Sequence, residues 1–220
     1  MLARLKPGAR TMSLHHQREY WQRQLRLLAR HVRHANAAWS ESGRRARTAE
    51  LVTVFQGVNA WLRATGVDHW ICYGTLLGWW REQRILPHDR DVDFAAPAGA
   101  YAELKAAADR LPRGFTLHDT SHRHGGPKLY VSHRGWEADI YFLVEEHGQL
   151  RTILDSPNPG DTAPFPREWF YPARTVEFLG GPTQVPAELQ RYLEHTYGYT
   201  GPEAELDPVT RYYRPVRRRG

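Results

Sequence analysis

Apolar residues recur at three- and four-residue spacing in two stretches near the start of the chain. Trp21, Leu25, Leu28, Val32 and Ala35 form one stripe, running from a helix cap at Ser13 to about Trp39. Leu51, Val54, Phe55, Val58 and Leu62 form a second stripe over 46–64, which Gly66 stops. Ser40 to Gly43 reads as the turn between them. Each stripe predicts a helix with one face packed against something; for the first, the protein core is the expected partner and a membrane surface the alternative.

The apolar runs then shorten. His69 to Tyr73 reads as a first core strand, Leu76, Leu77, Trp79 and Trp80 as faces of a short helix, and Pro87 ends that helix. Tyr101, Leu104, Ala107, Ala108 and Leu111 predict a further helix, closed by Pro112 and Gly114. Three strands are expected at 115–118, 128–132 and 136–144, separated by Gly-rich turns. A Pro-rich loop follows at 155–166, then short aromatic strands between Trp169 and Phe178, and a helix begun by Pro186 and running through Leu193. The order predicts an α+β protein, a mixed sheet with helices packed on one side.

Between the first strand and the second lies the most unusual chemistry, Tyr-Gly-Thr-Leu-Leu-Gly from Tyr73 and Pro-His-Asp-Arg-Asp-Val-Asp-Phe from Pro87. Gly74 and Thr75 open a helix, where free N–H groups and a hydroxyl suit a phosphate. Gly78 allows close approach of a neighbour or a ligand, and Arg81, one turn on, either reaches a substrate phosphate or pairs with an acid such as Glu82. Asp89, Asp91 and Asp93 alternate with Arg90 and Val92, so a regular strand would set all three carboxylates on one face. Carboxylates so close need a cation, and hard oxygen ligands suit Mg²⁺ or Mn²⁺. Asp139 stands alone within the apolar run Trp136 to Phe142 and needs a partner for its charge. Glu137 shares its face, and Lys128 either neutralises a bound phosphate or lies on the surface.

The 220 residues are enough for one domain with a helical extension, and 41 % hydrophobic residues with eight Trp exclude disorder. The single cysteine, Cys72, excludes an intrachain disulfide and a Cys-rich zinc site. The net charge of +6 is uneven: residues 1–50 hold eleven Lys/Arg against three Asp/Glu, the last ten hold five Arg and no acid, and the stretch between is net −7. An acidic centre fits a metal-binding body and opposes a nucleic-acid partner. Basic ends are either solvated charge or a contact with an anionic membrane or glycan. No signal-peptide core or spanning run is expected, so the reading is cytoplasmic, peripheral at most to the membrane.

The two motifs, with Arg81 and with Val185-Pro186 through Tyr197-Gly198, resemble the LicD and fukutin family. The resemblance covers about 69–200 and is dense at 73–94, 138–143 and 176–198. It implies a nucleotidyltransferase-like catalytic domain at 46–200, flanked by a basic arm and N-terminal helix at 1–45 and a basic tail at 201–220. It also implies transfer of a phospho-alcohol, of the phosphocholine or ribitol phosphate type, from a CDP-linked donor to a glycan or glycoconjugate acceptor. In that pattern Asp91 and Asp93 hold Mg²⁺ or Mn²⁺ and a later strand supplies the third carboxylate, the place that Asp139 fits. Asp139 is then also the best general base, with Asp89 behind it, while Gly74, Thr75, Gly78, Arg81 and Lys128 contact the donor. His88 and Arg90 depart from many relatives; His88 is either a base, a donor contact or a half-buried turn residue. A nucleotidyltransferase acting on a small molecule, a sugar-nucleotide enzyme with an Asp-x-Asp pair, and a non-catalytic nucleotide- or glycan-binding relative are the competing readings.

Overall fold

The computed structural model describes residues 18, 20–25, 28, 41–152 and 158–216. Ser13, Val32, Ala35, Trp39, the histidines at 15, 16, 31 and 34, part of the Pro-rich loop and Arg217 to Arg219 lie outside the described residues.

Helix α1, Glu41–Thr65, buries Leu51, Val54, Phe55, Val58 and Leu62, the stripe read from their spacing. It begins within the stretch expected as a turn, because Ser40 to Gly43 contains no proline to stop it. Phe55 stacks on Phe94 of the sheet at 5.5 Å and meets Phe178 edge-on at 5.1 Å. The same helix donates the Trp61 indole N–H to the Ala107 carbonyl at 2.9 Å, which ties it to the short helix α3, Tyr101–Ala106.

The main sheet contains β1 (Trp70–Ile71), β2 (Val92–Pro97), β3 (Phe115–Asp119), β4 (Lys128–His133) and β5 (Trp136–Glu146), in the order β1-β2-β5-β4-β3. Only β2 and β5 are parallel; the other pairs run antiparallel, so the sheet is mixed as expected. β6 (Gln149–Thr152) extends the far end of β5 and pairs with β7 (Phe165–Pro166). Helix α2, Tyr73–Glu82, enters between β1 and β2, and α4 (Ser121–His124) and α5 (Pro159–Thr162) are single turns.

The hairpin of β8 (Arg174–Phe178) and β9 (Gly181–Val185) precedes α6, Leu189–Tyr197. That helix starts three residues after Pro186. Pro186 and the apolar residues Leu189, Tyr192 and Leu193 are buried, so core packing sets where the turn begins.

Residues 201–216, expected as a tail, instead fold over the body. β10 (Ala204–Leu206) and β11 (Tyr213–Pro215) form a hairpin, anchored where the Tyr199 N–H donates to the Tyr213 carbonyl at 3.0 Å. At the other end of the chain, residues 20–25 are helical but do not bury the predicted stripe: Trp21, Leu25 and Leu28 are 60 % exposed or more.

Two short helices close the lower edge of the core. A Cβ placed on Gly160 would stand 2.1 Å from the Thr196 carbonyl oxygen and 2.8 Å from its Cα, so α5 can lie against the end of α6 only because residue 160 lacks a side chain. Gly160→Ala should therefore lose about 2 kcal/mol or more of unfolding free energy in urea titrations. Gly99→Ala, with nothing within 4 Å of the new methyl, should change it by less than about 0.5 kcal/mol.

Candidate active site

The chain reaches the site from β1. Cys72 is still extended (φ −139°, ψ 179°), whereas Tyr73 turns to φ 45°, and α2 starts there without a side-chain cap. A strand that becomes a helix within one residue leaves the first N–H groups of α2 outside the intrahelical ladder. Gly74 borders an open cleft, and a Cβ there would approach Asp89 Oδ1 to 3.3 Å.

Thr75 lies deeper than the sequence suggested. It is fully buried, and its hydroxyl accepts the Asp93 backbone N–H at 2.8 Å. Thr75 thus fixes the helix start to β2. Gly78 is also a packing residue: its Cβ would strike the Arg84 carbonyl oxygen at 2.5 Å, so the close neighbour is backbone. Arg81 spends its fork on the chain, donating from Nε to the Thr200 carbonyl at 2.6 Å and from Nη2 to the Gly201 carbonyl at 2.7 Å. Its first role is to hold the C-terminal segment against α2.

The three alternating aspartates are not on one strand. β2 begins only at Val92, and Asp89 closes a turn in which its Oδ2 accepts the Leu86 N–H at 3.3 Å. The cis-proline-free turn at Pro87 and His88 keeps 89–91 out of the ladder, because Asp89 N–H is already bonded back to the Leu86 carbonyl. His88 is exposed, with Nε2 3.9 Å from Asp89 Oδ1.

Asp93 is in the strand, 9 % exposed, and stands in register with Asp139 on the adjacent parallel strand β5. Parallel neighbours in register project side chains to the same face, so the two carboxylates share one small volume. Asp91 sits at its open rim. Among the described residues no three His, Cys, Asp or Glu side chains are grouped so that they could hold a metal ion; the cation set against Asp139 is Lys128. Its ammonium lies 3.3 Å from Asp139 Oδ2 and 3.2 Å from the centroid of the Tyr141 ring, whose hydroxyl donates to the same Oδ2 at 3.2 Å. The ammonium is buried and makes a charge contact with Asp139 without hydrogen-bond geometry. Lys128 is therefore the partner that Asp139 required, and it is not a surface lysine.

Charges in this volume perturb one another. Burial raises the Asp93 carboxyl well above the ordinary range, and the charges of Asp91 and Asp139 push it the same way. Asp91, solvent-exposed at the rim but closely walled by protein, is raised to about 6, first by desolvation and then by Asp139, Asp89 and Glu137. Burial lowers Lys128, against the pull of Asp139 and Asp93. The cluster is short of positive charge. Glu137, the alternative carboxylate, is taken: Arg23 grips it at 3.0 and 3.3 Å while lying over the Tyr130 ring.

Two hard carboxylates in register, an acid at the rim and a local shortage of cation fit a divalent metal that binds one or two carboxylates and completes its shell with phosphate oxygens. Asp93 and Asp139, in register on neighbouring strands, are the two residues that would hold it. Arg23, Tyr141 and the C-terminal hairpin were not anticipated as parts of the site. Tyr141 carried a signal, sitting two residues after Asp139 on one face of a strand; Arg23 and the hairpin meet the site only through long-range contacts.

The sheet order, the helix inserted between β1 and β2, and the paired acids on β2 and β5 define a nucleotidyltransferase-type domain. A family model described as LicD/FKTN/FKRP, nucleotidyltransferase domain, matches residues 66–188, and the chain belongs to that family. It is 30 % identical over 151 residues to the Homo sapiens protein named ribitol-5-phosphate transferase FKTN, covering 63 % of this chain and 30 % of that protein. The Mus musculus protein named ribitol 5-phosphate transferase FKRP is 27 % identical over 149 residues, covering 62 % and 29 %. The chain thus spans about three tenths of the length of these curated relatives. A crystal structure of ANT(2")-Ia with adenylyl-2"-tobramycin superposes on 62 % of this chain and 68 % of that one, at 16 % identity and a TM-score of 0.42, too distant to bear on chemistry.

Raised carboxyl pKa values mean that the metal-free folded state binds more protons than the unfolded chain, so stability falls as pH rises from about 4 through the folded values. Asp93→Asn removes much of that penalty. Without metal, its melting temperature should exceed the parent's at pH 8, and the gain should shrink as pH falls and vanish below the unfolded carboxyl value of 3.8, where both states are protonated. Lys128→Met should do the reverse, costing about 3 kcal/mol by stranding buried carboxylates. Adding Asp93→Asn to it should recover part of the loss in a double-mutant cycle.

Proposed function

We propose that this domain is a metal-dependent phosphotransferase that moves a phospho-alcohol, of the ribitol phosphate type, from a CDP-linked donor to a glycan hydroxyl. The observation that carries the reading is the register of Asp93 with Asp139 beside Lys128, in a chain whose relatives are named ribitol-5-phosphate transferases. Membership of the family favours the alcohol phosphate over nucleotidyl transfer, which would use the same carboxylates.

A divalent ion, Mg²⁺ or Mn²⁺, when bound, neutralises phosphate charge and aligns the donor. The open N–H groups at the start of α2, around Gly74, receive the donor diphosphate and stabilise its charge. Lys128 and the Tyr141 hydroxyl contact Asp139 on Oδ2, which fixes the carboxylate and keeps Oδ1 for the acceptor. The acceptor oxygen then bonds to the phosphorus bearing the alcohol as the bond from that phosphorus to the CMP oxygen breaks. The hydroxyl proton passes to Asp139 Oδ1, and CMP leaves. Catalysis of this kind is mostly positioning and charge neutralisation.

The same proposal includes peripheral contact with an anionic surface through the basic ends, supported by the exposed Trp21, Leu25 and Leu28 on the N-terminal segment. No described helix is long and apolar enough to cross a membrane.

Incubation with CDP-ribitol, Mg²⁺ and a panel of glycan acceptors should release CMP only when an acceptor is present. Asp93→Asn and Asp139→Asn should reduce that release by at least about a hundredfold, since each interaction acts mainly in the transition state. Pyrophosphate release from a nucleoside triphosphate, with no CMP from any CDP-alcohol, would replace the proposal with nucleotidyl transfer.

A further inference from the structure

Strand β5 carries a second buried carboxylate on the face that holds Asp139. Glu137 lies two residues earlier, about 7 Å along the strand, and alternation turns both side chains the same way. It is 7 % exposed, and the hydroxyl of its register partner on β4, Ser132, is hydrogen-bonded to His118 Nε2 at 2.8 Å. Lys128 stands opposite Tyr141, so the ammonium that serves Asp139 lies on the far side of it from Glu137. A buried carboxylate in this place needs a cation of its own.

That cation is Arg23, which comes from the helical residues 20–25, ahead of the residues matched to the family. Both carboxylate oxygens are taken: Nε donates to Oε1 at 3.3 Å and Nη2 to Oε2 at 3.0 Å. A fork of this kind fixes the position of a carboxylate as well as balancing its charge. The same guanidinium lies 5.2 Å from the centre of the Tyr130 ring, and Tyr130 is the register partner of Asp139. Tyr20 meets the Arg123 guanidinium of α4 at 5.9 Å, so the segment is fastened both to β4 and β5 and to α4. The hydrogen bond to Glu137 raises the Arg23 pKa against the cost of burial, and the charge of Asp139 adds to it, which puts the guanidinium within electrostatic reach of the cluster.

We propose that Arg23 is a positioning residue of the cation site: by holding both oxygens of Glu137, it keeps a third buried carboxylate from drawing the cation away from Asp93 and Asp139. The inference rests on the metal-dependent reading of that pair. Released from Arg23, Glu137 would add one negative charge beside the cluster. It would attract a divalent ion without helping to align a donor, so cation affinity would rise while turnover fell. A guanidinium that merely fastened the N-terminal segment would produce neither the opposite signs nor a dependence on the charge of Glu137.

The test compares four forms of the full chain: the parent, Arg23→Gln, Glu137→Gln and the two changes together. Binding of Mn²⁺ alone, followed by loss of the free-ion EPR signal, should tighten at least about threefold in Arg23→Gln, the weight of one added charge at such a distance in a polar medium. Acceptor-dependent CMP release from CDP-ribitol should fall at least about tenfold in the same variant. Glu137→Gln should change neither readout by more than about twofold. Once residue 137 is neutral Arg23 has no further task, so the double variant should match Glu137→Gln within about twofold in both. Where Arg23→Gln does not fold, that last comparison still decides. Mn²⁺ binding that Arg23→Gln leaves unchanged or weakens, or a double variant well below Glu137→Gln, overturns the proposal and reduces Arg23 to a tether. A parent that binds no Mn²⁺, with or without CMP, removes the metal reading and the inference together. The expected Mn²⁺ pattern in a protein that releases no CMP would remove the phosphotransferase reading and leave the role of Arg23 standing.

Discussion

Burying a carboxylate beside a second one is costly in any medium less polar than water, because each loses hydration and repels the other. Asp93 and Asp139 are held in that position by the ladder between β2 and β5, which fixes residue 93 opposite residue 139 with no freedom to slide. Much of the surrounding architecture can be understood as the means of holding it. Thr75 clips the backbone of Asp93 from α2, Lys128 from β4 brings a buried ammonium, and Tyr141 both donates to Asp139 and carries the lysine on its ring. A one-residue slip of β5 would turn Asp139 to the opposite face and break all of these contacts together.

The lysine does not neutralise the cluster. One buried ammonium faces Asp93 and Asp139 together with the rim charge of Asp91, and the carboxyl values of Asp91 and Asp93 rise despite it. A stronger counterion would stabilise the empty protein but would compete with any cation arriving with a substrate. A weaker one would leave the acids protonated, unable to ligate a metal or take a proton. Lys128 is intermediate: close enough to Asp139 to orient it, and itself weakened by burial. Tyr73 contributes rigidity from below, its ring packed edge-on against Tyr141 at 4.9 Å while its own backbone makes the turn from strand to helix.

Most of the scaffold was legible because its signals are local. The spacing of Leu51, Val54, Phe55, Val58 and Leu62 identified α1 and its buried face, and the three central strands appear close to their expected limits, with β5 running two residues further. Alternation misplaced Asp89, since a period of two assumes a strand and the Leu86–Asp89 hydrogen bonds make a turn there. Residue type alone left the partners of Thr75, Gly78 and Arg81 open. A threonine, a glycine and an arginine near a helix start suit a phosphate, but here they satisfy a strand N–H, a backbone crossing and two carbonyls. Lys128 and Glu137 could not be resolved from sequence, because their partners come from other elements: Lys128 meets Asp139 across a ladder, and Glu137 meets Arg23 from 114 positions away.

The C-terminal segment was read as a tail because five arginines and no acid in the last ten residues dominate its composition. What folds it is instead a short list of specific bonds. Arg81 holds the carbonyls of 200 and 201, Tyr199 and Tyr213 pair their backbones, and Arg214 bridges Glu205 at 3.2 Å and Asp207 at 3.6 Å. Exposed ion pairs contribute little each, so the hairpin depends on the backbone pairing and on Arg81. Such an element can open more easily than the core it lies on, since few buried apolar contacts secure it. Its tyrosine Tyr213 is therefore held by backbone pairing with Tyr199, while Asp93 and Asp139 are fixed in the sheet.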